Sequence, residues 1–227
     1  QIIWKPLLRG KFHDKYKEVS MAWLWARIHT RGNSSKLGYF EGGFRIIADA
    51  LAKKIKENGG EIKLNYELNP SKSPLDRGDF DKILYTGASK EIDYLGAVCV
   101  IFTSKQSLSK YYWYNINDIK SPFLAFIQHT NLVPSTKYQG KEVYYLGTYV
   151  PHNYKYFKQT DEEIYKEFFD YLKIIFPKFD KKIIDESFVF KFKNAQHIVT
   201  KNYKPSPYPS LDRAGLYIAN FAQIYPE

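Results

Sequence analysis

The sequence predicts a protein of the α/β to α+β class, in which helices cover one side of a mixed β-sheet of about four to six strands. Short segments of alternating apolar and polar residues, which are typical of strands, recur along the chain. Segments with apolar residues at helical spacing lie between them. The 227 residues include 20 Tyr and 16 Phe, which provide enough apolar surface for a sizeable core. These features exclude an all-α fold.

Three helices are predicted from apolar residues at helical spacing. Residues 14–30 are apolar on more than one side, as in a helix that packs between two layers. A second helix follows the glycine pair at 42–43 and ends at another pair of glycines. The third is expected over residues 161–176, where Thr160 and Glu163 have the spacing of a capping box.

Strands are predicted where runs of β-branched and aromatic residues are bounded by turn residues. The stretch 133–141 separates two such runs and predicts a hairpin loop. The prolines of 203–210 predict a loop. The predicted strands are residues 61–68, 81–87, 97–103, 122–132, 142–150, 187–194 and 216–221.

The formal net charge of +10 makes nucleic acid or an anionic surface a candidate partner. The lysines, however, are spread from Lys5 to Lys204 without the long runs of a basic tail. This distribution favours a solvated basic surface, so no nucleic-acid partner is expected. A basic interaction domain stays open as an alternative.

Cysteine and histidine usage points to a protein without disulfide or metal. The single cysteine, Cys99, lies in an apolar run and cannot form an internal disulfide, which favours a reducing, cytoplasmic location. The five histidines are far apart in sequence, and no metal site is expected. No stretch approaches the roughly 20 apolar residues of a membrane-spanning helix, although peripheral membrane contact stays open.

The glycine pair Gly42-Gly43 allows two interpretations. Glycines let a chain turn tightly and bring a helix close to a sheet. They also let a flat ring or a phosphate approach the backbone at a helix N-terminus. Spacing by itself favours the structural role.

Four passages occur in an order that has a parallel among flavoenzymes: WKPLLRGKF with EVSMAWLWARI, GYFEGGFRIIADALAKKIKENGGEIKLN, FDKILYTGAS, and GLYIANFAQIYPE. Through them the chain resembles the middle and carboxyl-terminal part of the flavin amine oxidase/protoporphyrinogen oxidase-like superfamily, which includes phytoene desaturase-type enzymes. The second passage is the most specific. In such enzymes an amino-terminal Rossmann-like unit with a GxGxxG turn holds the FAD pyrophosphate.

The resemblance implies that FAD belongs to the full-length parent protein. The sequence lacks both the GxGxxG turn and the carboxyl-terminal segment that closes over the flavin, and it has no initiator Met. We therefore expect a truncated fragment that binds no FAD by itself and is inactive alone.

The resemblance also assigns cofactor-binding residues. Gly42 and Gly43 are placed near the boundary between flavin and substrate. The backbone of Leu68 is placed near the adenine, and Thr86 and Gly87 at the end of a strand beneath the cofactor. No catalytic acid, base or metal ligand is assigned.

A small-molecule substrate is expected to rest against an aromatic face of the sheet. The candidate substrate-binding residues are Tyr145, Tyr149, Phe188 and Phe190, for which core packing is the alternative role.

By the same resemblance the chain divides into four parts. Residues 1–36 are the helical part of a mixed-sheet substrate domain, which continues at 94–210. Residues 37–93 are segments of a partial FAD-binding domain that lacks its Rossmann unit. Residues 211–227 begin a carboxyl-terminal segment of that FAD domain.

The implied function is that of the substrate-binding portion of an FAD-dependent oxidoreductase, with hydride transfer from a substrate C–N or C–C bond to the flavin. A flavin-dependent sugar-nucleotide mutase is an alternative, which paired arginines around a pyrophosphate would favour. A non-catalytic basic interaction domain is the other alternative.

Overall fold

The structure is a computed structural model, and it contains four α-helices and eight strands among its described residues. The helices are α1 (Trp4–Phe12), α2 (Met21–Gly32), α3 (Arg45–Glu57) and α4 (Asp161–Ile175). The strands are β1 (Ile83–Tyr85), β2 (Tyr94–Ser104), β3 (Trp113–Asn115), β4 (Ala125–Gln128), β5 (Glu142–Val150), β6 (Ile184–His197), β7 (Ser210–Arg213) and β8 (Leu216–Ile218). The described residues are 4–32, 36, 38–66, 80–88, 92–205, 210–213 and 215–224.

The strands form two sheets, and the larger one is antiparallel where the sequence predicts a mixed sheet. The larger has five strands in the order β3-β4-β5-β2-β6, and every described pair in it is antiparallel. The smaller has the order β1-β8-β7, in which β1 and β8 are parallel. The mixture of helices with antiparallel and parallel strands agrees with the predicted α/β class. The predicted hairpin is confirmed by the antiparallel pairing of β4 with β5.

Helix α4 covers one face of the five-stranded sheet. Its Ile164, Phe168 and Leu172 are fully buried, against sheet residues such as Phe102 and Leu146. The predicted capping box is present: the Thr160 hydroxyl accepts from the Glu163 backbone N–H at 3.3 Å, and the Glu163 carboxylate accepts from the Thr160 N–H at 2.8 Å. A cap of this kind contributes about 1 kcal/mol to helix stability.

Helices α1 and α2 form a second core at one end of the larger sheet. Phe12 and Trp23 pack edge to face at 4.9 Å and bury Leu95, Ile198 and Val199.

The predicted helix over residues 14–30 is wrong in its first half. Residues His13–Lys17 form a 3₁₀ helix, and α2 begins only at Met21. The reason is tertiary: Val19 forms a β-bridge with Thr200, and the Ser20 N–H donates to a backbone carbonyl at 2.8 Å. Short elements α1, β3 and β7 have no counterpart in the sequence predictions.

The predicted strand at 61–68 is also wrong over its described part, residues 61–66. These residues pair with no described strand, and the side chains of Leu64 and Tyr66 are 81% and 67% exposed. An alternating pattern forms a strand only where a neighbouring strand takes up its backbone hydrogen bonds.

Helix α3 does form, but its apolar residues Leu51 and Ile55 are 61% and 46% exposed.

The packing of α4 predicts unequal effects for two phenylalanines. Phe168→Ala should lower the free energy of unfolding by about 3–5 kcal/mol, because it opens a cavity between helix and sheet. Phe188→Ala should lower it by about 1 kcal/mol or less, since that ring is 50% exposed on the other face of the sheet. Urea denaturation measures both values, and equal losses would contradict this assignment of faces.

Candidate functional site

The face of the five-stranded sheet opposite α4 is an aromatic surface, which we call the open face. Residues directly opposite each other in an antiparallel pair lie on the same face. Ile101 of β2 is opposite both Tyr145 of β5 and Phe188 of β6. Two residues along, Cys99 is likewise opposite Gly147 and Phe190. The open face comprises Ala97, Cys99, Ile101, Tyr145, Gly147, Tyr149, Phe188, Phe190 and Phe192.

The structure thus brings together all four predicted substrate-binding residues. Phe188 and Phe190 are 50% and 42% exposed, so they do not belong to the packed core. Tyr145 and Tyr149 are half-buried, one toward each end of the same face. Phe192 lies on the same face and continues the alternation of the other two phenylalanines, although it is not among the predicted substrate-binding residues.

A cleft of about 490 Å³ adjoins the Tyr145 end of the open face. The glycine pair lines it, with Gly42 at φ +86° and Gly43 at φ +79°. Residues that carry a side chain rarely adopt this left-handed backbone conformation. Helix α3 begins just after, at Arg45. The lining residues are Tyr39, Phe40, Glu41, Gly42, Gly43, Leu132, Val133, Pro134, Lys137 and Tyr138.

Glu41 joins the glycine segment to the turn after β4, because its carboxylate forms an ion pair with Lys137. That ammonium lowers the pKa of Glu41, chiefly through its hydrogen bond. The Glu41 side chain is 81% exposed, so the pair lies at the rim of the cleft, where such a contact contributes little to stability.

A cluster of tyrosines around His129 connects the cleft with the open face, and sequence reasoning missed it. His129 Nε2 lies 2.7 Å from the Tyr138 hydroxyl. The rings of Tyr39 and Tyr145 contact the imidazole at centroid distances of 4.9 and 5.8 Å. These residues come from separate parts of the chain, and no local pattern marks them as neighbours.

Burial favours the uncharged forms of His129 and Tyr138. It lowers the pKa of His129 below its ordinary value, so the imidazole is uncharged. Burial, followed by the neighbouring hydroxyl of Tyr39, raises the pKa of Tyr138 to about 12. The cluster can therefore donate and accept hydrogen bonds toward a ligand without presenting a net charge.

The other end of the open face lies beside α1 and α2. The Lys11 ammonium lies 5.0 Å from the centre of the Tyr149 ring, and His13 Nε2 lies 2.6 Å from the Tyr149 carbonyl oxygen. The open face is thus flanked by helices at one end and by the glycine-lined cleft at the other.

The remaining predicted cofactor-binding residues are not brought to this cleft by any described contact. Thr86 and Gly87 follow β1 in the smaller sheet, where the Asn220 side chain donates to the Gly87 carbonyl at 3.0 Å. Leu68 lies outside the described residues.

The described residues fit one wall of a flavin site but not a complete one. Gly42 and Gly43 leave backbone accessible at the start of a helix, which suits the close approach of a flat ring. A turn that would hold a pyrophosphate is not among the described residues.

The described ranges lack the features of two other classes of site. No group of three or more His, Cys, Asp or Glu side chains there is placed to hold a metal ion. No helix there is long and apolar enough to cross a membrane.

Comparison with known proteins shows the fold. No protein-family profile matches the sequence, and no curated protein gives a significant match. Among solved structures, the chain is similar to an oxidoreductase from Methanosarcina mazei, with a TM-score of 0.62 and 16% sequence identity. The similarity covers 96% of this chain and 59% of that protein.

Two further solved structures are similar over shorter stretches. Their TM-scores are too low to establish a shared fold. A protein from an Exiguobacterium species that is designated a protoporphyrinogen oxidase has a TM-score of 0.43 and 14% identity, over 58% of this chain and 31% of its own. Reduced UDP-galactopyranose mutase has a TM-score of 0.38 and 12% identity, over 49% of this chain and 24% of its own. The chain therefore shares its fold with part of an oxidoreductase and spans 59% of that protein's length.

Proposed function

We propose that this chain is the substrate-binding portion of an FAD-dependent oxidoreductase, in which hydride passes from a substrate C–N or C–C bond to the flavin. The observation that carries the proposal is the exposed aromatic face that ends at a cleft lined by the glycine pair. The fold shared with an oxidoreductase supports it. The assignment of FAD rests on the resemblance of the sequence to flavin amine oxidase-like enzymes.

In this proposal FAD supplies the hydride acceptor, and the residues of this chain bind and orient the substrate. The phenylalanines of β6 provide an apolar surface that excludes water from the substrate. The neutral pair of His129 and Tyr138 provides hydrogen bonds beside the glycine pair, where the flavin edge is proposed to lie.

The division into a substrate domain and FAD-domain segments is part of the proposal. Residues 37–93 and 211–227 are assigned to the FAD domain. Strand β1 of the first segment pairs in parallel with β8 of the second, and together with β7 they form a sheet separate from the substrate-binding one. This pairing supports assigning the two segments to one unit.

The sugar-nucleotide mutase alternative receives no support from Arg9, Arg27 and Arg45, the arginines whose side chains the structure describes. Arg9 contacts Tyr16, Arg27 lies over Trp23, and Arg45 pairs with Asp49. These arginines lie on three different helices with different neighbours, whereas a pyrophosphate clamp needs two arginines side by side.

Flavin content tests the proposal directly. The purified product of the complete reading frame should show the absorption spectrum of an oxidised flavin, which an added amine, or a substrate with a CH–CH bond that can be desaturated, bleaches under anaerobic conditions. The present chain, titrated with FAD and followed by flavin fluorescence, should show no stoichiometric binding. A complete protein that carries no flavin would overturn the proposal. Stoichiometric flavin bound to the 227-residue chain would overturn the expectation that its flavin site is incomplete.

The centre of the open face offers a chemical probe, because it holds the single cysteine of the chain. Cys99 is opposite Phe190 and Gly147, and a Cβ added at Gly147 would meet no atom within 4 Å. Burial raises the pKa of the Cys99 thiol to about 11.

We therefore expect the partly buried Cys99 thiol to react slowly. Alkylation by iodoacetamide should accelerate about tenfold per pH unit up to pH ~11, because the thiolate is the nucleophile. Intact-mass spectrometry measures the rate, with Cys99→Ser as the unlabelled control. A rate that levels off near pH 8.5, the ordinary thiol value, would contradict this environment.

Filling the open space at Gly147 should block ligand binding without unfolding the sheet. Gly147→Leu should lower the affinity for the neutral fluorescent probe N-phenylnaphthylamine by about tenfold, since the new side chain occupies the surface beside Cys99. The free energy of unfolding should change by about 1 kcal/mol or less. Unchanged probe affinity in a folded variant would count against the open face as the ligand surface.

A further inference from the structure

Strand β6 forms a long edge of the five-stranded sheet. In the order β3-β4-β5-β2-β6 one edge strand, β3, has three residues, whereas β6 has fourteen. A short edge strand offers little to another chain, but a long one presents a row of backbone N–H and C=O groups. In the described part of the chain β6 pairs with β2 alone, and no other element donates to or accepts from the backbone of residues 185–195.

The centre of β6 lacks the features that usually protect an edge strand. Residues 186–192 keep one continuous register with β2, and both irregularities of that pairing lie outside them. They contain no proline or glycine, and their one lysine, Lys191, is opposite Val98 on the face that α4 covers. Their three phenylalanines are 42% to 55% exposed on the open face. A regular, partly apolar strand of this kind readily accepts a further strand.

Carboxylates outnumber the ammonium groups in direct contact with them at the first end of β6. Asp185 and Glu186 both pair with Lys141, at 2.6 and 3.2 Å, and the hydrogen bond to that ammonium lowers the pKa of Asp185. Lys105 acts on Asp185 only as a weaker, more distant charge. Two carboxylates that share one ammonium retain acceptor sites for a further cation.

The other end of the strand carries a positive charge. Lys191 already pairs with Asp161 at 3.2 Å and donates to the Gln159 carbonyl at 2.7 Å. Lys193 is exposed, and it has no ion pair in the described part of the chain. Antiparallel pairing of two copies of β6 brings the Lys193 end of each copy beside the carboxylate end of the other.

These features fit a second copy of the chain as the partner. Opposite charges at the two ends of β6 favour antiparallel over parallel pairing of two such strands. A two-fold axis perpendicular to the sheet at Val189 keeps both open faces on one side and places Phe188 of one copy opposite Phe190 of the other. We propose that β6 pairs antiparallel with β6 of a second copy, so that two five-stranded sheets join into one of ten strands. The proposal depends on neither a flavin nor a substrate.

Sedimentation equilibrium of the 227-residue chain measures this association. The interface is a single pair of strands, so we expect a weak, reversible dimer with a dissociation constant in the micromolar range. Lys193→Glu and Glu186→Lys should each weaken it about fivefold, because each places like charges together twice in a two-fold interface. The double variant should return to within about twofold of wild type, since it exchanges the charges of the two ends.

Matched controls carry the same charge changes away from β6. Lys166→Glu on α4 and Glu61→Lys after α3 alter exposed side chains and should leave the dissociation constant unchanged. Helix α3 also exposes apolar residues, and Leu51→Glu tests whether copies associate through that helix instead. We expect Leu51→Glu to leave the dimer intact.

Hydrogen exchange followed by mass spectrometry reports on the strand backbone itself. Residues 185–193 should become more protected as the protein concentration rises, because pairing gives acceptors to their outward N–H groups. Residues 45–57 of α3 should exchange at the same rate at every concentration.

Three outcomes would overturn the proposal. The first is a chain that stays monomeric up to about 0.5 mM. The second is a dimer that Leu51→Glu abolishes and that neither single variant of β6 weakens. The third is a dimer in which residues 185–193 exchange as fast as in the monomer. Weakening by each single variant, with recovery in the double variant, supports the pairing of β6 with β6.

Discussion

The burial of α4 against the five-stranded sheet is the interaction on which the rest of the structure depends. Side chains of a strand alternate between two faces, so residues buried under the helix fix which residues face the other way. Phe168 and Leu172 are fully buried there together with Phe102 of β2. A shift of register by one residue would exchange the two faces. The open aromatic face is therefore a direct consequence of the packing on its reverse side.

The site arises where other parts of the chain reach that face. The helical core around Phe12 and Trp23 brings Lys11 over Tyr149 at one end. The glycine segment brings Tyr39 against His129 at the other. Each end combines residues that are far apart in sequence, with apolar sheet surface between them. This arrangement supplies a long apolar surface with different polar chemistry at its two ends.

Local patterns predicted a substantial part of the fold. The capping residues Thr160 and Glu163 located α4, and the alternating phenylalanines of β6 located both the strand and its aromatic face. The prediction of a strand over residues 61–66 was wrong, because a strand requires a partner that no local pattern supplies. The helix predicted from residue 14 was wrong in its first half, since the bridge between Val19 and Thr200 joins distant parts of the chain.

The sequence by itself determined where the chain forms α3, α4 and its longer strands, because periodicity and caps act over a few residues. It also supplied the aromatic side chains and the glycine pair of the candidate site. Only the tertiary structure decided that Tyr145, Tyr149, Phe188 and Phe190 share one face, since strand register fixes it. The meeting of Tyr138 with His129, and of Lys11 and Arg27 with Trp23, was likewise decided by packing between distant elements, which no local pattern encodes.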